Sequence, residues 1–159
     1  MKVLKVFTNE KGEFGNPVGI VVDTEQKLDK DERLKITIDS GFSEVVFVNS
    51  IENKEISIYC PQNEIAFAGH AVVGTAYFLS QEYNQTITQL KSIGGIIETW
   101  KEDELTWVRG SLSILPKWNY EQFENAELVE KLTVNETKNK EHTFVWAWID
   151  ETKGLIRAR

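Results

Sequence analysis

One stretch of the chain, residues 56–79, constrains the fold most because two hydrophobic periodicities meet in it. Residues 56–60 alternate between apolar and polar types, which is typical of a half-buried strand, and Pro61 ends that strand because proline has no amide hydrogen. Residues 68–80 then carry no charge apart from the possible charge of His70, and many of them are small. A helix that is apolar on all sides is a buried helix. We therefore predict a central helix over residues 68–80.

The elements around this helix point to one fold class. Short apolar runs predict strands near residues 3–8, 18–22, 44–48, 56–60, 86–91, 95–101 and 105–110. A polar helix is expected from Asp29 or Lys30 to Gly41. Because the connections are short, the order of these elements favours an α+β fold with a curved mixed or antiparallel sheet wrapped around the central buried helix.

The last third of the chain is predicted to form a separate part. Pro116 marks the expected boundary between a first lobe, residues 1–115, and a partial second lobe, residues 116–159. The pattern in this second lobe predicts a helix from Tyr120 to Lys131, a loop over residues 134–141 and a hairpin formed by residues 142–150 and 155–159. The five tryptophans are expected to lie in the core or between the lobes.

Composition excludes several classes of function. The net charge of −7 argues against a nucleic-acid partner, since phosphate binding needs a basic surface. The chain has no apolar run long enough to span a membrane and no signal-peptide pattern, so we expect no membrane association and a cytoplasmic protein. A single cysteine cannot form an intramolecular disulfide, and with two distant histidines it makes a poor ligand set, so no metal is expected.

The start of the predicted central helix is the first candidate site. Amide hydrogens in a first helical turn lack helical partners, and the helix dipole makes this end positive. The sequence Ala68-Gly69-His70 could therefore hold an anion such as a substrate carboxylate. Equally, Gly69 could serve only to let the chain turn closely, with His70 as a hydrogen-bonded histidine near the core.

A second candidate is Glu44, which with Ser43 stands between the end of a helix and an apolar strand. Partial burial raises the pKa of a carboxylic acid, which would suit Glu44 to transfer protons near neutral pH. The alternative is a solvent-facing glutamate that opens a strand. Cys60 follows the strand alternation, so core packing is its expected role.

Four ordered segments, together with two near the end of the chain, resemble the PhzF-like family of isomerases named after phenazine biosynthesis. The segments cover residues 6–8, 14–18, 43–48, 61–76, 146–150 and 154–159. The resemblance implies the diaminopimelate-epimerase-like fold, in which two similar lobes each wrap a curved sheet around a central helix. It also implies an active site in the cleft between the lobes, a proton shift on a small carboxylic acid, and no cofactor or metal.

The same resemblance assigns roles to individual residues. Glu44 matches the catalytic acid and base, and His70 matches a histidine of the active site that contacts the substrate. The positions implied to bind substrate are Asn16, Ser43, Gly69 and Ala71.

The sequence also departs from the family pattern, because it has no match to the Glu-Asp-x-Ala-Thr-Gly-Ser-Ala motif of the second lobe. The chain therefore resembles a truncated or naturally shortened member with an incomplete second lobe. Two functions follow as alternatives: an isomerase whose activity is impaired, or a non-catalytic binding or oligomerisation module. Uncovered apolar surface in the second lobe predicts a homodimer or larger homo-oligomer.

Overall fold

The computed structural model divides the chain into two compact units, Met1–Leu115 and Pro116–Arg159. The residues that the structure describes are 1–114, 117–137 and 143–159. Three predictions fall at least in part outside these ranges. They are the boundary at Pro116, the end of the loop over residues 134–141, and His142, the first residue of the predicted hairpin. Each unit is described here by itself.

Among its described residues, the first unit contains a mixed eight-stranded sheet, two α-helices and a short 3₁₀ helix, Leu112–Ile114. The strands are β1 (Lys2–Thr8), β2 (Phe14–Val22), β3 (Val45–Ser50), β4 (Glu55–Tyr59), β5 (Glu64–Ile65), β6 (Gln89–Ser92), β7 (Gly95–Glu102) and β8 (Leu105–Arg109), and the helices are α1 (Lys30–Ser40) and α2 (Gly69–Tyr83). The main path of the sheet runs β1-β2-β3-β4-β6-β7-β8, and β5 pairs with β4. The pairs β2/β3 and β4/β6 are parallel and the others antiparallel. The curled sheet confirms the α+β prediction.

Helix α2 is the central helix that the sequence predicted. Its buried residues are His70, Ala71, Val72, Gly74, Thr75, Ala76, Phe78 and Leu79. The helix contacts β1, β2, β3, β6 and β8, and its apolar side chains share one core cluster with those strands. A Cβ atom on Gly74 would lie 2.8 Å from Val18 Cγ1 and 3.1 Å from Val6 Cγ2. Glycine therefore lets the middle of the helix approach β1 and β2 closely.

Helix α1 begins and ends where the sequence indicated. The Asp29 carboxylate accepts a hydrogen bond from the Glu32 amide, and the Glu32 carboxylate accepts one from the Asp29 amide, which together form a capping box. Gly41 ends the helix with a φ of 69°, in the left-handed region that glycine adopts without strain.

A buried ion pair anchors α1 to the segment that follows β2. Arg33 Nη2 donates to Asp23 Oδ2 at 2.7 Å, and the side chains of Arg33 and Asp23 are 9% and 6% exposed. The Asp23 carboxylate also accepts hydrogen bonds from the amides of Lys27 and Leu28, at 2.9 and 3.3 Å. The Asp23 carboxylate therefore neutralises the Arg33 guanidinium and also holds the backbone of the segment that connects β2 to α1.

The second unit is a small sheet with two short helices. Its elements are β9 (Asn119–Gln122), α3 (Ala126–Lys131), α4 (Val134–Thr137), β10 (Thr143–Asp150) and β11 (Leu155–Ala158). The strand order is β11-β10-β9, with β10 antiparallel to β11 and parallel to β9. Strands β10 and β11 confirm the described part of the predicted hairpin.

Two predictions for the second unit were wrong. The helix expected from residue 120 begins only at Ala126, after Asn125 as its N-cap, because residues 119–122 pair with β10 instead. The loop expected from residue 134 begins instead with a short helix, α4. Within α3 the fully buried side chain is Val129, whereas Leu128 is 42% exposed.

The core-packing role expected for Cys60 was wrong, and of the two positions expected for the tryptophans, the core is not the one they occupy. Cys60 lies just beyond the end of β4, is only half-buried, and its thiol contacts the Asn63 carbonyl oxygen at 3.3 Å. None of the five indoles belongs to the buried core; Trp100 and Trp107, for example, stack on each other with ring centroids 6.1 Å apart, and Trp107 is 43% exposed. A role for tryptophans between lobes stays a prediction.

We expect Leu79→Ala to lower the free energy of unfolding by about 3 kcal/mol, because it leaves a cavity beneath the sheet. The Leu79 side chain is fully buried in the core cluster around α2. Tyr77→Ala, on the same helix but at a side chain 47% exposed, is the matched control and should cost much less. Urea denaturation of the two variants measures the difference, and equal losses would contradict the position assigned to α2.

Candidate functional site

Glu44 and His70, the two candidate catalytic residues, lie in direct contact. Glu44 immediately precedes β3, and His70 lies in the first turn of α2. Glu44 Oε2 and His70 Nε2 are 3.1 Å apart, and the two side chains are 18% and 9% exposed. The fold therefore joins two residues that are 26 positions apart in the sequence.

The contact is close but not a well-directed hydrogen bond. Both atoms are buried, and in this arrangement neither Glu44 Oε2 nor His70 Nε2 has a hydrogen-bond partner of good geometry. Buried polar atoms are nearly always hydrogen-bonded in folded proteins, so each unsatisfied one calls for an explanation. A small polar ligand that enters the site could supply the missing partner.

The electrostatics of Glu44 differ from the sequence-based expectation. Burial raises the pKa of its carboxyl group, but close polar contacts with His70 and Ser43, together with electrostatic attraction to His70, bring that pKa below the ordinary value for glutamate. The predicted raised pKa was wrong, because the carboxylate has partners that the sequence did not reveal. Near neutral pH Glu44 is therefore ionised, which is the state that a base needs to accept a proton.

The start of α2 adds amides to the site that have no partner within the helix. Its N-cap, Ala68, has no side chain that can accept a hydrogen bond, and the first helical bond runs from the Val72 amide to the Ala68 carbonyl oxygen at 3.0 Å. The amides of Gly69, His70 and Ala71 precede that bond, so none of them has a partner within the helix. Amides of this kind, at the positive end of the helix dipole, can bind a carboxylate.

Two other candidates lie next to this pair. Ser43 is exposed, and its side chain lies close enough to the Glu44 carboxylate to help lower the pKa of Glu44, so it is in place to orient the base. The methyl group of Ala71 is fully buried in the core cluster, so only its backbone amide could bind a substrate.

Asn16 lies on the neighbouring strand, farther from the pair. Gly19 of β2 lies beside Val45 of β3, so the position beside Glu44 is Val18. Asn16 is exposed and stands two residues before Val18, a displacement of about 7 Å along the strand. A ligand longer than a single carboxylate would be needed to reach both Asn16 and Glu44.

In the described ranges, no group of three or more histidine, cysteine, aspartate or glutamate residues could hold a metal ion. No helix among the same residues is both long and apolar enough to cross a membrane.

The candidate site combines the Glu44 carboxylate, the His70 imidazole and the amides at the start of α2. This arrangement suits proton transfer next to a bound anion.

We expect His70→Leu to raise the pKa of Glu44. Loss of the imidazole removes the contact that lowers this pKa, while the effect of burial, which raises the pKa, remains. In the native protein the lowered pKa of Glu44 stabilises the fold at neutral pH. This stabilisation is lost as the pH falls through the pKa that Glu44 has in the folded state. Titration of the Glu44 carboxyl carbon by NMR measures the change, with Ser43→Ala as the control that should produce a smaller rise. An unchanged or lower pKa in His70→Leu would show that the imidazole does not stabilise the ionised carboxylate.

Comparison with known proteins identifies the family that this chain matches. The family model described as phenazine biosynthesis-like protein, PhzC-PhzF, matches residues 4–154. The chain is 30% identical over 118 residues to antisense-enhancing sequence 1 of Schizosaccharomyces pombe, covering 67% of this chain and 39% of that protein. It is 38% identical over 80 residues to an uncharacterised isomerase of Mesorhizobium japonicum, covering 48% of this chain and 26% of that protein.

A solved structure shows the same fold. The crystal structure of a phenazine biosynthesis PhzF-family protein from Enterococcus faecalis matches 91% of this chain and 66% of its own chain, with a TM-score of 0.70 and 21% sequence identity. The matched part of the chain thus spans 39% and 26% of the lengths of these two curated relatives and 66% of the length of the solved chain.

Proposed function

The chain belongs to the phenazine biosynthesis-like PhzC-PhzF family, and from this membership we propose that it carries an isomerase half-site. This half-site would shift a proton on a small carboxylic acid without a cofactor. The observation that carries the proposal is the contact of Glu44 with His70 at an uncapped helix start. Two curated relatives are themselves described as isomerases, which agrees with this chemistry.

Each part of the half-site has a role in the proposed reaction. The substrate carboxylate binds to the free amides of Gly69 and His70, so that the neighbouring carbon faces Glu44. The Glu44 carboxylate takes a proton from that carbon: the C–H bond breaks, an O–H bond forms, and the electron pair is delocalised into the substrate. The protonated Glu44 then returns the proton to another carbon on the same face of the substrate: the O–H bond breaks, and a new C–H bond forms with the delocalised electron pair. The helix amides stabilise the negative charge that develops between these steps.

The proposal is tested by hydrogen exchange in heavy water. The chain is incubated with small β,γ-unsaturated and α-amino carboxylic acids, and deuterium at the carbon next to the carboxylate is followed by NMR. We expect incorporation above the buffer rate for at least one of these acid classes. If no acid exchanges and none shifts the amide resonances of Gly69 and His70, both the base and the anion site proposed here are wrong.

A second candidate is a non-catalytic binding or oligomerisation module. Exposed apolar surface in the second unit favours this function, because such surface is usually covered by a partner. Its large exposed side chains include Tyr120 at 72% and Ile149 at 60%. Carboxylate binding without exchange would support this alternative.

We propose that the chain forms a homo-oligomer. A monomeric mass by light scattering at micromolar concentration would contradict that proposal.

A further inference from the structure

We infer that the first unit has a second binding site, which takes a small uncharged molecule that carries a primary carboxamide. The site is a cavity of about 390 Å³ between the sheet and the segment that leads into α1. This volume lies in the range that small-molecule sites usually have. The lining residues that carry the inference are Leu28, Arg33, Asn49, Ser57, Tyr59 and Glu64.

The cavity lies on the face of the sheet that α2 does not cover. Ile56 and Ile58 of β4 pack in the core cluster around α2, whereas Tyr59 belongs to a separate cluster with residues of α1. Ser57 lies between the two isoleucines, so strand alternation directs its side chain to the same face as Tyr59. Asn49 of β3 reaches this face as well, because its Nδ2 atom donates to Ser57 Oγ at 3.0 Å. The inference therefore does not depend on whether the half-site at the start of α2 turns over a substrate.

Two buried polar atoms in the wall of the cavity have no hydrogen-bond partner among the described residues. They are Arg33 Nε, which can only donate, and Asn49 Oδ1, which can only accept. Both side chains line the cavity, and that of Arg33 is 9% exposed. Another nitrogen of each group is already bonded, Arg33 Nη2 to Asp23 and Asn49 Nδ2 to Ser57. Because buried polar atoms are nearly always hydrogen-bonded, the missing partner is a molecule in the cavity that accepts from Arg33 and donates to Asn49.

The two unpaired atoms require a ligand group that accepts and donates hydrogen bonds at once. A carboxylate only accepts and an ammonium group only donates, whereas a primary carboxamide accepts at its oxygen and donates from its nitrogen. A hydroxyl group has to do both from one oxygen. The carboxamide uses two atoms, which matches partners on two separate elements, Arg33 on α1 and Asn49 on β3.

The charges around the cavity also favour an uncharged ligand. Lys30 and Arg33 are positive, whereas Asp29 and Glu64 of the lining, together with Asp23 that pairs with Arg33, are negative. The negative charges thus exceed the positive ones by one, which disfavours an anion. A charged group would in addition lose its hydration on entering the cavity. This site therefore differs in chemistry from the start of α2, where an anion is expected.

The apolar part of the wall determines the body of the ligand. Leu28 and Tyr59 line the cavity and pack in the same cluster between α1 and the sheet. They place apolar surface beside the polar groups of Arg33 and Asn49. A ligand with a small aromatic or aliphatic body can therefore lie against these two side chains while its carboxamide binds the unpaired atoms.

The test uses the full chain and four probes of similar size: benzamide, benzoate, N,N-dimethylbenzamide and benzyl alcohol. Benzoate has no donor and carries a charge, dimethylbenzamide has no donor, and benzyl alcohol has a single polar atom. Each probe is titrated while NMR follows the Nε–H resonance of Arg33 and the side-chain amide resonances of Asn49. The amide resonances of Gly69 and His70 are followed in the same spectra.

We expect benzamide to shift the resonances of Arg33 and Asn49 saturably, with a Kd on the order of 1 mM. Each of the other probes should bind about 10-fold more weakly, because it leaves a buried polar atom without a partner. Equal binding of benzamide and any other probe would overturn the inference. So would benzamide that shifts neither resonance, or that shifts only those of Gly69 and His70.

Asn49→Ala removes the acceptor and should weaken the binding of benzamide about 10-fold. The matched control is Asn53→Ala in the turn between β3 and β4, because Asn53 is exposed and does not line the cavity. This control should bind benzamide as the native chain does. Amide spectra establish that both variants are folded, and unchanged binding by folded Asn49→Ala would overturn the inference. If Asn49→Ala does not fold, the four probes on the native chain decide.

Discussion

Replacing Glu44 by glutamine is expected to reduce deuterium incorporation into a substrate by about 10²–10⁴-fold, the usual contribution of a positioned acid or base. Glutamine keeps the size of the side chain and one acceptor oxygen, but its amide nitrogen is a donor and it cannot accept the proton. The effect should appear in the rate of exchange rather than in binding of the carboxylate, which depends on the amides at the start of α2. Exchange and binding should be measured on the same protein, by NMR in heavy water.

Glu98→Gln is the matched control for this variant. Glu98 is an exposed glutamate of the same unit whose carboxylate pairs with Arg109 at 2.8 Å, outside the candidate site. Its replacement should leave the exchange rate unchanged. If Glu44→Gln exchanges as fast as the native chain, Glu44 is not the base. If both variants lose exchange equally, the loss reflects the fold rather than the site.

Asp23→Ala is expected to lower the free energy of unfolding by about 3 kcal/mol, since it leaves the Arg33 guanidinium buried without its partner. We place the effect at the lower end of the range for buried pairs, because Arg33 also borders an open cavity. The substitution also removes the acceptor for the amides of Lys27 and Leu28. Urea denaturation at neutral pH measures the loss.

The pH dependence of Asp23→Ala follows from the ionisation of the carboxyl group. Burial raises the pKa of Asp23, but hydrogen bonds from Arg33, Lys27 and Leu28 and the charge of Arg33 bring it below the ordinary value. A carboxylate with a lowered folded-state pKa stabilises the protein above its unfolded pKa, and this stabilisation is lost as the pH falls through the folded-state value. The difference between the native chain and Asp23→Ala should therefore shrink in acid.

Two controls separate the buried pair from surface charge effects. Asp39→Ala removes an exposed partner of Lys35 and should change stability by no more than about 0.5 kcal/mol. The double variant Asp23→Leu with Arg33→Met removes both charges and should recover part of the loss. A single Asp23→Ala variant as stable as Asp39→Ala would show that the pair contributes nothing.

The sequence by itself determined the parts of the protein that depend on local pattern. The apolar run that became α2 allows burial on every side, and the capping residues Asp29 and Gly41 set the ends of α1. Alternating apolar residues likewise predicted the strands around α2. These features could be predicted because periodicity and capping act between residues that are near in sequence.

The tertiary structure decided what depends on distant partners. Residues 119–122 form a strand because β10, more than 20 positions later, pairs with them, and that pairing overrides the local helical pattern. Glu44 and His70 were both candidates from the sequence, but their 3.1 Å contact arises only when the start of α2 packs beside the start of β3. That contact also reverses the expected pKa shift of Glu44. The physical reason is that polar contacts and electrostatic attraction at short range together outweigh the effect of burial, which is all that the sequence could suggest.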